Sequence, residues 1–154
     1  MLALFAQLAV WMTPYFPMDR LRSEFREREL FFDKISAMIR KTHGTILSED
    51  MGLLIANGRE IFYEPFPMGQ MSYSGLWDEN LIIRELDRQT FPLAILYCYA
   101  PALRRNRTFN EGFFEMFNRR YKFIGAMELP RPAHQPLQAL YFYAPRSAET
   151  TDSK

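Results

Sequence analysis

Cysteine is nearly missing from this chain: Cys98 is the single one, so no internal disulfide can form, and its place inside an apolar run marks it as a small packing residue. Net charge is nearly missing too. The 19 Lys plus Arg against 18 Asp plus Glu leave +1, which removes any general electrostatic reason to bind nucleic acid or an acidic polymer. No nucleic-acid partner is expected. Metal-ligand clusters, nucleophile triads, phosphate loops and internal repeats are also lacking, so neither a metal nor a cofactor is expected. Long hydrophobic runs are short of the mark. The opening MLALFAQLAVWM falls well below the roughly 20 apolar residues of a spanning helix, and it has neither the basic start nor the small-residue cleavage site of a signal peptide.

What is present suits one folded domain. The 154 residues can bury a real core, and 48% hydrophobic content with 14 Phe and 8 Tyr excludes disorder for most of the length. The expected division is an apolar helix over 1–17, an α/β domain over 18–146 and a disordered tail over 147–154. Three readings fit the opening run: the last turns of a membrane helix, a helix packed on the core or a partner, and an interfacial anchor. Trp11, Tyr15 and Phe16 favour the first, because such aromatics gather where a helix leaves the membrane. Pro14 and Pro17 then end it.

Over 19–41, Leu21, Phe25, Phe32, Ile35 and Ile39 recur at three- and four-residue spacing, predicting an amphipathic helix with Asp19 as N-cap and Arg40, Lys41 and His43 before a closing Gly44. Strands are expected over 45–48, 60–63, 93–99, 122–127 and 139–143, and helices over 51–57, 78–88 and 111–120. This alternation predicts a single layered α/β domain whose mostly parallel central sheet is flanked by helices. The continuous apolar run over 93–99 is its centre. Asp78 and Asn110 are the expected caps of the last two helices, and Phe113, Phe114, Phe117 and Tyr121 are core aromatics.

The candidate site lies within 43–77, where a short strand runs straight into Glu49 and Asp50. Adjacent acids on a strand point to opposite faces, so they form a pair only if the chain turns between them. Ser48 or Asp50 alternatively caps the next helix. Further on, Gln70, Tyr73 and Trp77 offer a polar group and a flat aromatic wall suited to a sugar ring, or to packing a loop on the sheet. Arg104, Arg105 and Arg107 come after the central strand; their forks suit phosphate oxygens or anionic headgroups, and solvent is the plain alternative. None of these residues is assigned as catalytic.

The ordered run ILSEDMGLLIANGREIFYEPFPMGQMSYSGLWDENLIIRELDRQTFPLAILY resembles the soluble C-terminal segment of bacterial integral-membrane glycosyltransferases of the dolichyl-phosphate-mannose protein mannosyltransferase-like group. The likeness spans roughly residues 35–125, with an acidic pair ending a strand, a helix ending near Asn-Gly, a Tyr and Pro segment, and a Trp-Asp helix start in the same order. It implies a polyprenyl-phosphate sugar donor, a location at the outer side of the cytoplasmic membrane, and the transmembrane part of such a transferase as partner. The group's catalytic acids lie in an early loop that this sequence does not contain, so a non-catalytic fragment is implied. Arg20, Arg22, Arg26 and Arg28 pull the topology the other way, since basic residues flanking a span favour the cytoplasmic side. A free-standing α/β interaction module is the competing expectation.

Overall fold

The structure, a computed structural model, describes residues 18–97, 109, 111–130 and 138–146. The expected apolar helix over 1–17, the tail over 147–154, Cys98, Asn110 and the arginines Arg104, Arg105 and Arg107 lie outside them.

Helix α1 (Met18–Lys41) obeys the predicted period but turns a slightly different face inward. Phe31, Ile35 and Ile39 are buried, while Phe25 and Phe32 are 64% and 45% exposed. Residues four apart form one ridge, and Phe32 lies about 100° around the helix from Phe31. The packed ridge starts only at Phe31. Before it, residues 22, 23 and 25–30 of this helix, about 36 Å long, are exposed, with Arg22, Arg26 and Arg28 in solvent. Asp19 falls inside the helix rather than capping it. At the other end Gly44 takes φ +93°, and the Arg59 guanidinium donates to the Thr42 carbonyl and, at 2.6 Å, to that of Ile39. A cation on those carbonyls closes the helix where its dipole is negative.

The chain continues through β1 (Ile46–Ser48), α2 (Met51–Ala56), α3 (Pro65–Tyr73), α4 (Asn80–Asp87), β2 (Leu93–Leu96), α5 (Glu111–Arg120), β3 (Tyr121–Glu128) and β4 (Ala139–Pro145). The four strands form one sheet in the order β1-β2-β4-β3. Its pairing corrects the mostly parallel expectation: β1 and β2 are parallel, but β4 runs antiparallel to both β2 and β3. The cause is the short connection between β3 and β4, which lacks the length that a parallel crossover needs. β2 is buried along its whole length. Its Leu93 and Ile95 pack with Phe31, Ile35, Ile39 and Leu53 under α1 and α2, while Ala94 and Leu96 pack with Ile82, Leu86, Phe113 and Phe117 under α4 and α5. The architecture is therefore α/β with helices on both faces of a mixed sheet.

Two segments depart from the expected pattern. Residues 60–63 form no strand; Ile61 and Phe62 are largely exposed and only Tyr63 enters the core, so the segment shows neither a ladder partner nor the burial alternation of a strand. The Pro- and Gly-rich 65–73 is a helix, α3, with Pro65 in its first turn, where a missing N–H costs nothing. Gly75, at φ +70°, lies just beyond its end. Aromatics fill the space under α5: Phe117 stacks on Tyr121 with centroids 4.9 Å apart, and meets the edge of Tyr143, also at 4.9 Å.

Candidate functional site

Parallel β1 and β2 end side by side, so the residues that follow them, Glu49 and Asp50 on one and Tyr97 on the other, meet at the carboxyl edge of the sheet. Ser48 is buried. Its hydroxyl donates to the Asp50 carbonyl at 2.9 Å and accepts the Asp50 N–H at 3.0 Å. That turn lets both adjacent acids reach the same residue. Glu49 Oε2 accepts the Tyr97 N–H at 2.6 Å, and Asp50 Oδ2 accepts the Tyr97 hydroxyl at 2.5 Å. The other Asp50 oxygen accepts the Leu53 N–H at 3.2 Å and caps α2. Both acids thus grip a single residue, the first after β2.

Burial pushes the Tyr97 phenol up, and the hydrogen bond to Asp50 and then the charges of Asp50 and Glu49 push the same way. Tyr97 remains a neutral donor at ordinary pH. With one Asp50 oxygen on the helix end and the other on Tyr97, the arrangement ties the end of β2 to the start of α2 rather than poising a base. Among the described residues no group of three or more His, Cys, Asp or Glu is placed to hold a metal ion.

Trp77 belongs to a different concavity. It tilts at 43° against Tyr63, centroids 5.4 Å apart, in a groove of about 460 Å³ between the 62–68 segment and α4, bordered by neither Glu49 nor Asp50. Gln70 and Tyr73 are exposed and border neither place. Tyr73 and Trp77 therefore do not form the flat wall that their spacing invites. Asp78 does act near a helix start, accepting the Asn80 N–H at 3.0 Å.

Sequence reasoning missed Tyr63, Glu79 and Tyr97. Glu79 is buried and accepts the Ser72 hydroxyl at 2.9 Å, yet in the sequence it is one acid among several around Trp77. Tyr97 reads only as the continuation of an apolar strand. Tyr63 is the least satisfied of the three: its hydroxyl is buried and has no hydrogen-bond partner among the described residues. Burial first, and then the Glu79 charge, raise its pKa. An unpaired buried hydroxyl costs roughly 1–3 kcal/mol. Tyr63→Phe should accordingly stabilise the free protein by about 1 kcal/mol, read as a higher urea midpoint at unchanged slope. A lower midpoint would mean that the hydroxyl already has a partner.

Tyr121 shares the upward shift, to about 12, mainly through burial and in part through the Glu85 charge, with the Phe91 N–H opposing. Folded pKa values above the unfolded value near 10 give stability that is complete below about pH 10 and lost as pH rises through the folded values. Phenolate absorbance at about pH 11 should therefore be lower in native protein than in denaturant, rising only as the fold opens. Identical native and denatured titrations would contradict the burial of these rings.

No protein family, curated protein or solved structure matches the chain. No helix among the described residues is long and apolar enough to cross a membrane.

Proposed function

We propose that this chain is a non-catalytic, membrane-proximal domain of a glycosyltransferase that uses a polyprenyl-phosphate sugar, ordering the acceptor or the carrier headgroup at the outer face of the cytoplasmic membrane. The observation that carries the non-catalytic part is the double grip of Glu49 and Asp50 on Tyr97. Acids spent on a helix cap and a neighbouring tyrosine hold the end of β2, and the sequence places Arg104, Arg105 and Arg107 a few residues further on. Guanidinium forks following a strand in the sequence are suited to the oxygens of a sugar phosphate. The exposed residues 25–30 of α1 fit the same reading, since in the sequence the helix follows directly on the apolar N-terminal run. The transferase part rests on the order of motifs along 46–97.

Flotation with vesicles carrying a polyprenyl-phosphate sugar tests the proposal. The chain should float in larger amount than with vesicles lacking the carrier, and should transfer no sugar by itself. Turnover by the chain alone, or flotation indifferent to the carrier, would sink it. A second reading, a free-standing interaction module, is favoured by the outermost strand β3, where Phe123 and Ile124 are 45% and 50% exposed. Its signature would be a protein complex lost on Ile124→Lys while carrier-dependent flotation is absent.

A further inference from the structure

The groove beside Trp77 has a chemistry of its own that does not depend on the transferase reading. Its wall is apolar and largely aromatic, with Phe62, Tyr63, Met68, Trp77 and Leu81, and it is of a volume that small-molecule sites commonly have. Its mouth is cationic. Arg84 and Arg88, one turn apart on and just beyond α4, both border it, but they are not equivalent. Arg88 is held by Glu85 at 3.0 Å, and the other Glu85 oxygen accepts the Thr90 hydroxyl at 2.7 Å. Arg84 is exposed and pairs with no acid among the described residues. The acid at the rim is thus already engaged, and one planar, hydrogen-bonding cation is left facing the opening.

The interior sets the orientation of an occupant. Glu79 sits close enough to Tyr63 to bear on its ionisation, so a negative group at the inner end would be repelled. The same wall contains a donor without an acceptor among the described residues, the Tyr63 hydroxyl; packing alone would be served as well by phenylalanine. We propose that this groove binds a small aromatic acid, its ring against Trp77, Met68 and Leu81 and its carboxylate forked by Arg84 at the mouth. A ring of one or two fused six-membered cycles suits the space. Stacking supplies the hold, and the guanidinium supplies the choice of acid over neutral analogue.

The probes are naphthoate and its neutral isostere naphthamide, titrated against the full chain carrying Trp11→Phe so that emission reports Trp77. Naphthoate should bind saturably and about tenfold more tightly than naphthamide. Arg84→Gln should bring the two to near equality by weakening naphthoate alone, whereas Arg88→Gln should leave most of the preference. Unchanged naphthamide binding by Arg84→Gln shows that the variant is folded. Trp77→Leu, which removes the emission reporter and is therefore titrated by calorimetry, should weaken both probes. No saturable binding, equal affinity for acid and amide, or a preference that survives Arg84→Gln would each overturn the proposal. Loss of carrier-dependent flotation touches none of these outcomes, so the two readings fail separately.

Discussion

Phe117→Ala should destabilise the domain by about 3–5 kcal/mol and lower its melting temperature by roughly 10 °C. Phe117 is fully buried. It lies between Phe113, stacked at 5.6 Å, and Tyr121, stacked at 4.9 Å, with the edge of Tyr143 closing the third side. Those partners belong to three different elements, α5, β3 and β4, so none can collapse into the space without moving a strand of the sheet. Rigid walls leave the cavity open, which puts the cost at the upper end for a truncated aromatic. Chemical denaturation with an unchanged slope measures it. A loss under about 1 kcal/mol would mean that the aromatic column is loosely packed and refills.

Asp50→Ala should cost about 2–3 kcal/mol, because it removes a helix cap and the acceptor of the Tyr97 hydroxyl together. Asp50→Ser separates the two. Serine still accepts the Leu53 N–H but does not reach Tyr97, so it should recover about 1 kcal/mol of the loss. On the proposed transferase reading, the same pair of variants separates a structural cap from a role in binding. If the Asp50–Tyr97 bond serves acceptor ordering as proposed, sugar transfer stays low in Asp50→Ser even where stability has returned; full recovery of transfer with the cap would leave Asp50 as a cap and nothing more.

Periodicity made much of the fold legible. Local spacing located α1, β1, α2, α4, α5, β3 and β4 closely, since each shows its buried face in its own residues: Phe113, Phe114 and Phe117 for α5, Leu53 and Leu54 for α2. What local spacing does not contain is who pairs with whom. The antiparallel insertion of β4 comes from a connection length and from burial on both faces of β2, which no single segment displays. Phe31 rather than Phe32 faces inward for a similar reason, as only the sheet beneath decides between neighbouring ridges. At 65–73, proline and glycine signal a loop, yet Pro65 occupies the one helical turn where proline is harmless.

The candidate site was half visible. Glu49 and Asp50 stand out as an acidic pair after a strand, and the turn that Ser48 makes lets both reach Tyr97. Tyr97, which both acids hold, is hidden because a tyrosine ending an apolar strand is indistinguishable from core until its neighbours are known. Tyr63 and Glu79 are hidden likewise: burial of a hydroxyl or a carboxylate is a tertiary property. Arg84 reads as one more charge on an amphipathic helix until the groove beside it is seen.

The strand order also bears on how the chain is made. β2 finds β1 as soon as both have emerged, but its other edge is filled only by β4, the last strand in the sheet's sequence order. During synthesis, therefore, Leu93–Leu96 presents one open, wholly apolar edge until residues 139–145 arrive. Unpaired apolar edges recruit other chains. β3 and β4, close neighbours in sequence, can meet early, so the late step is the docking of that hairpin onto β2. Premature ends anywhere between these strands would leave the same edge open, and the aggregation hazard of this protein is concentrated in its truncated forms rather than in the finished domain.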